Sequence, residues 1–266
     1  SAMMAAHQLL QKKIKVEIFE AADQLGGLLR YGIPEFRLPK EIIDEEYAQL
    51  QAMGLDIHTN VFIGQTKSLN SLVKSFDAVL IATGAGLAEF SQIQGENLGG
   101  VYYAQEILMR MQLLGKTPLF NDVGGLFKGD QTVVVGGGYA ALDAARMAVR
   151  LGQKVDLVFD GLEEQMGVSS DMLKEAVEEG VNVHAPFKVL NIEGDDKNCV
   201  SGLEAQQLEL VENNGKLSLL PIQGESGVFA AQTLIIAKGS RTNTFLAKNE
   251  MQLKLNNGRS FWVETS

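Results

Sequence analysis

Hydrophobic and polar positions follow a strand–helix–strand plan most plainly between Thr132 and Asp160. Thr132–Val135 is an uninterrupted β-branched run, Ala140–Leu151 combines good helix formers with apolar faces, Gly152 stops the helix, and Lys154–Phe159 is a second β run ending on Asp160. The chain opens on the same order without its first strand: the pattern predicts a helix over Ala2–Lys12, a strand over Lys15–Phe19 and an acid, Glu20, at the strand end. Further along, it predicts a helix over Lys40–Met53 stopped by Gly54, an alternating strand over Asp56–Ile63, a short helix near Ser68–Ser75 and a buried strand over Phe76–Ala85. Tyr102–Leu114 reads as helix and Gly115–Asp130, with Pro118, as a loop or linker. Asp171–Glu179 reads as an acidic-faced helix ended by Gly180, and Val181–Leu220 as several β runs broken by turns at GDDKN and NNGK.

The junction between the run at Thr132 and its helix carries the chemistry. Gly136, Gly138 and Ala141 spell G-x-G-x-x-A where a strand turns into a helix, and Asp160 follows Ala141 by 19 positions. Gly136 permits a tight turn, Gly138 lets main chain approach a pyrophosphate, and Ala141 allows helix and strand to pack closely. The helix N-terminus favours the phosphates, and Asp160 would accept hydrogen bonds from ribose hydroxyls. Glycines at this spacing also occur in turns with no ligand, so a purely structural βαβ unit remains the alternative. At the N-terminus, counting back about eighteen residues from Glu20 puts Ala2 at the third small position of a similar motif. The chain is therefore expected to begin inside that motif.

Composition narrows the function classes. With 266 residues, 45% hydrophobic content and 28 glycines, the chain is long enough for about two domains. A net charge of −10 argues against nucleic acid. The single cysteine, Cys199, argues against a disulfide framework, a redox Cys pair or a cysteine-ligated Fe–S cluster, and points to a cytoplasmic setting. No run is long and apolar enough for a membrane span. His7, His58 and His184 lack partners at metal-ligand spacing, so no metal site is expected, and the Glu175, Glu178, Glu179 run reads as a solvated face.

Several strings resemble one family. GGLLRYGIPEFRLPK at Gly26–Lys40, ATGAG at Ala82–Gly86, GENLGGVYYAQEIL at Gly95–Leu108 and VVVGGGYAALDAAR at Val133–Arg146 are similar to the glutamate synthase small-chain-like flavoprotein oxidoreductases. EAVEEGVNVH, PIQGES and TLIIAKGSRTN, which contains Gly239, follow in the family's order. The resemblance implies an α/β fold of two Rossmann-like dinucleotide-binding domains, with a nicotinamide-dinucleotide domain over 105–239 inserted into an FAD-type domain formed by 1–104 and 240–266. It implies that Glu20 binds the FAD ribose, that Gly27, Leu28 and Arg30 line the flavin side, and that Thr83 and Gly84 mark the crossing between domains. Gly136, Gly137, Gly138, Tyr139, Ala140, Ala141, Asp160 and Gly239 would hold the nicotinamide dinucleotide. Electrons would pass from that dinucleotide through FAD to an Fe–S protein or a larger catalytic subunit, with no catalytic side chain needed because the flavin carries the chemistry.

The chain departs from the family pattern in places. The first two glycines of the FAD fingerprint are expected before Ser1, and the Gly-Asp segment that closes over FAD beyond Ser266. Asp160 and Gly161 stand where the family commonly has two arginines for a 2′-phosphate, so NAD(H) is favoured over NADP(H). Tyr139 replaces a small polar residue and would crowd the ligand or stack on it. Two readings follow: a flavin-dependent oxidoreductase, or a non-catalytic dinucleotide-binding or assembly module that has lost flavin binding.

Overall fold

The computed structural model describes residues 1–114, 126–213, 215–249, 253, 255–256 and 260–261. In chain order its elements begin with α1 (Ala2–Gln11), β1 (Val16–Phe19), α2 (Leu28–Tyr31), α3 (Lys40–Ala52), β2 (Leu55–His58) and α4 (Leu69–Ser75). They continue with β3 (Leu87–Ala88), β4 (Val101–Tyr103), α5 (Ala104–Leu114), β5 (Gln131–Val135), α6 (Tyr139–Arg150), β6 (Lys154–Val158), α7 (Ser170–Glu179) and β7 (Val181–His184). After these come β8 (Phe187–Gly194), β9 (Val200–Asn213), β10 (Lys216–Ala230), β11 (Thr233–Ile236), β12 (Ser240–Arg241) and α8 (Phe245–Asn249). The chain divides into two compact units, Ser1–Leu87 with Ser240–Ser266, and Ala88–Gly239.

The Ala88–Gly239 unit is built on a parallel sheet in the order β4-β11-β5-β6-β7. Its central strands β5 and β11 are apolar without alternation because both faces are covered, whereas β6 and β7 alternate with Asp156 and Asn182. Val134, Val155, Leu157 and Ile235 pack under α5, α6 and α7 with Ile107, Leu142, Ala145 and Ala176. Val133, Val135, Val158, Leu234 and Ile236 face the other way and pack with Ile192, Val200, Leu203 and Ala205 of the antiparallel sheet β10-β9-β8. Each fully buried valine, leucine or isoleucine here contributes roughly 1.5–3 kcal/mol, so this two-sided core fixes where the ends of β5, β6 and β11 stand.

One expectation for this region is corrected. Tyr102 and Tyr103 were expected to open a helix and instead belong with Val101 to β4, hydrogen-bonded in parallel to Leu234–Ile236 of β11, with helix beginning at Ala104. A short aromatic and β-branched run takes a ladder when a partner is offered, which local periodicity cannot foresee. The β4 ladder places Val101–Tyr103 in the Ala88–Gly239 unit. Positions 115–125 of the expected Gly115–Asp130 loop lie outside the described residues.

In the other unit β1 and β2 form a parallel pair, Val16 opposite Leu55 through Phe19 opposite His58. Ala6 and Leu10 of α1 and Leu50 of α3 cover it, packing against Leu55 of β2. The strand expected over Asp56–Ile63 ends at His58, because Asn60 turns left-handed at φ 58 and its N–H, with that of Val61, bonds to Ala22 O and Glu20 O. Ser68 caps α4, its Oγ accepting from Ser71 N–H at 3.1 Å. The strand expected over Phe76–Ala85 does not form. This run carries the apolar residues of a buried strand, yet it has no ladder partner among the described residues and Leu80 is 66% exposed. Of the expected closing segment 240–266, positions 250–252, 254, 257–259 and 262–266 lie outside the described residues.

Candidate functional site: the glycine turn between β5 and α6

At the end of β5 the chain turns into α6 through three glycines with three different constraints. Gly136 has φ 139, and a Cβ there would stand 2.6 Å from the carbonyl of Ala237, so the position admits only glycine without distortion. The turn is pinned on both sides: Gly136 N–H donates to Val158 O at 3.0 Å, and Ala237 N–H to Val135 O at 2.8 Å. Gly137 lies against the Phe159 ring, 2.6 Å from a would-be Cβ, and its carbonyl accepts from Gly167 N–H at 2.8 Å. Gly138 caps α6 with an ordinary φ of −105, and no atom lies within 4 Å of where its Cβ would be. Steric need therefore explains Gly136 and Gly137 but not Gly138. The space over Gly138 is open toward the first turn of α6, whose leading N–H groups have no acceptor within the helix.

Ala141 is fully buried where α6 meets the sheet. Ala140 is half-buried, and Tyr139 is 50% exposed at the first helical position. Because Val135 pairs with Val158, Gly136 and Asp160 stand at neighbouring strand ends on one edge of the sheet. Asp160 is 49% exposed and accepts from Lys238 Nζ at 3.1 Å. Gly239 has φ 112, and its carbonyl is already used by Gln105 Nε2 at 3.0 Å and Glu89 N–H at 3.3 Å. A shallow cavity of about 290 Å³ lined by Glu163, Glu164, Ser169 and Leu173 includes none of the fingerprint residues, and its carboxylates do not suit phosphates.

α6 is locked to its neighbour by charge. Arg146, nearly buried, donates to Glu175 at 2.9 Å and to Glu179 at 2.7 Å, and Arg150 reaches the same Glu179 oxygen at 2.6 Å. Hydrogen bonds from Arg146 and then Arg150 hold the Glu179 carboxyl down at about 2. The acidic helix face expected to be merely solvated is thus partly a clamp on α6.

In the other unit, the string Gly26–Lys40 is a loop that supports itself. Lys40 Nζ donates to the carbonyls of Leu29, Ile33 and Leu38 at 3.2, 2.6 and 3.0 Å. Tyr31 donates to Asp23 at 2.6 Å, and burial followed by that bond pushes its hydroxyl up to about 12. Arg30 is turned inward: it is 4% exposed and bonded to Leu25 O at 2.5 Å and to Asp44, so it supports the loop. Gly27, at φ 49 with nothing within 4 Å of its Cβ position, and Leu28, 67% exposed, are among the residues the loop presents. Glu20 sits half-buried just past β1, with Oε1 accepting from Ala22 N–H at 3.0 Å. Thr83 and Gly84 are exposed, Gly84 at φ 67.

The string Gly95–Leu108 also proves architectural. Glu96 Oε2 accepts from Ser91 Oγ, Ser91 N–H, Gln92 N–H and Tyr103 Oη. Burial pushes its carboxyl up, but these bonds prevail and hold it below the usual range. A Cβ on Gly95 would stand 2.2 Å from Ile192 O. Lys238 was not singled out by the sequence, nor was Lys128, whose Nζ lies 3.4 Å from Cys199 Sγ. Among the described residues no group of three or more His, Cys, Asp or Glu could hold a metal ion, and no helix is long and apolar enough to cross a membrane.

The family model described as pyridine nucleotide-disulphide oxidoreductase matches residues 1–265. The chain is 30% identical over 258 residues to the glutamate synthase (NADPH) small chain of Escherichia coli strain K12, covering 94% of this chain and 55% of that protein. It is 30% identical over 241 residues to the NADP(+)-dependent formate dehydrogenase subunit beta of Moorella thermoacetica, covering 89% of this chain and 33% of that one. It thus spans between a third and about half the length of these relatives. Among solved structures, Mycobacterium tuberculosis FprA in complex with NADPH superposes with a TM-score of 0.71 at 20% identity, covering 90% of this chain and 68% of that one. Lactococcus lactis thioredoxin reductase gives 0.58 at 18% identity, covering 93% and 77%. At those identities the likeness is one of fold.

Proposed function

The chain belongs to the pyridine nucleotide-disulphide oxidoreductase family, and on that premise we propose that its Ala88–Gly239 unit binds a nicotinamide dinucleotide over the turn Gly136–Gly138. The observation that carries the reading is Gly138: the position is free of steric demand, yet it leaves main chain open at the N-terminus of a 12-residue helix, with a carboxylate at the adjacent strand end. The diphosphate would rest on the N–H groups at the start of α6, and Asp160 would take the adenine ribose hydroxyls. A carboxylate at that point favours NAD(H) over NADP(H), although relatives are named for NADPH or NADP(+).

The residues of the other unit suit part of an FAD site. Glu20 at the end of β1 would meet the FAD ribose, and the open main chain of Gly27 with the exposed Leu28 offers a surface for a flat ring. When bound, FAD supplies exchange between a two-electron donor and a one-electron acceptor. The acceptor would be an Fe–S protein or a larger subunit, in keeping with relatives named as a small chain and a subunit beta. Titrating the purified chain with NADH by calorimetry while recording the visible flavin band tests the proposal. Saturable NADH binding with a retained flavin spectrum supports the oxidoreductase, and binding without flavin supports the dinucleotide-binding module instead. No binding of any nicotinamide dinucleotide overturns both.

A further inference from the structure

Lys238 stands outside the glycine fingerprint, and the fold brings it there. β11 and β6 flank β5 on opposite sides, and Lys238 and Asp160 each lie two residues beyond the end of their strand. Lys238 Nζ nevertheless donates to Asp160 Oδ2 at 3.1 Å. The ion pair therefore joins one flanking strand end to the other across the turn at Gly136. The lysine also leaves the sheet from a fixed point, because its neighbour Ala237 is bonded to Val135 and its carbonyl lies against Gly136. Both charged groups remain partly exposed, at 31% and 49%, so a ligand in the crevice can reach them.

We propose that Lys238 is a specificity-determining residue of the dinucleotide site, one that offsets the charge of Asp160 and so admits NADP(H) beside NAD(H). The proposal rests on reading the crevice as a nicotinamide-dinucleotide site. Asp160 alone accepts from a 2′-hydroxyl and repels a 2′-phosphate. With the Lys238 ammonium beside it, the pair is close to neutral and carries donors that a phosphate can use. With NAD(H), the carboxylate takes the ribose hydroxyls while keeping its lysine. With NADP(H), the ammonium turns from Asp160 Oδ2 to the phosphate and offsets part of the repulsion between phosphate and carboxylate.

The test is calorimetric titration of the full chain and its Lys238→Met, Lys238→Arg and Asp160→Asn variants with NADH and with NADPH. Lys238→Met should weaken NADPH binding about tenfold and NADH binding less than about twofold, a size set by a charge pair in a half-exposed site. Lys238→Arg should keep NADPH binding, and Asp160→Asn should improve it at the expense of NADH. Equal changes for the two dinucleotides in Lys238→Met, or none, overturn the role given to Lys238 while leaving the dinucleotide site in place. A wild-type chain that binds neither overturns the site and the inference together.

Discussion

Replacing Gly138 by alanine separates what the fold requires from what a ligand requires. Gly138 has φ −105 and ψ 178, a conformation any residue adopts, and no atom lies within 4 Å of a Cβ built there. Alanine lowers the entropy of the unfolded chain, worth about 0.4–1 kcal/mol in favour of folding, and is a poorer helix N-cap than glycine by a similar amount. Gly138→Ala should therefore unfold in urea within about 0.5 kcal/mol of the parent chain. Binding should respond differently, because the new methyl group projects into the space from which a diphosphate would approach the leading N–H groups of α6. Losing even one hydrogen bond to a charged oxygen removes about 2 kcal/mol, roughly a thirtyfold rise in the NADH dissociation constant. Urea unfolding and calorimetric titration on the same preparation give both quantities. Unchanged NADH affinity in a folded Gly138→Ala protein would refute the placement of the diphosphate.

Gly136→Ala should behave in the opposite way, costing about 2 kcal/mol or more in urea unfolding, because φ 139 and the Ala237 carbonyl at 2.6 Å leave no room for a methyl group. Lys40→Met should destabilise the chain by about 2–4 kcal/mol, since the carbonyls of Leu29, Ile33 and Leu38 lose their shared donor; a loss under about 1 kcal/mol would show the loop does not depend on it. Glu179 has a folded pKa of about 2 against 4.5 for the free group, so its contribution is complete above pH 4.5 and is lost as pH falls toward 2. That contribution is at most about 3 kcal/mol before solvent screening, and Glu179→Gln should flatten the fall in urea stability over the same pH range.

What the sequence disclosed and what it hid divide along physical lines. The β5–α6–β6 unit was legible because its cues are local: a β-branched run, glycines at fixed offsets and an acid 19 positions beyond Ala141. Ladder partners were not legible. Val101–Tyr103 continues smoothly into a helical pattern and becomes a strand only because β11, more than a hundred residues later, lies beside it. Phe76–Ala85 shows the reverse, since strand-like composition without a partner leaves Leu80 exposed. Side-chain roles followed the same rule. Asp160 could be placed from spacing, but Lys238, 78 residues away, could not. Arg30 belongs to the family string, and only its bonds to Leu25 and Asp44 show that it supports the loop from within.

The central claim is that a nicotinamide dinucleotide rests on the main chain where β5 enters α6. Following backbone amide signals of the ¹⁵N-labelled chain during an NADH titration tests it at the atoms concerned. The account predicts saturable shifts at Gly138, Tyr139, Ala140 and Asp160, with Arg150 and Gly152 at the far end of α6 unmoved. Saturating NADH that leaves those four amides in place, or moves only signals around Glu163 to Leu173, would contradict it.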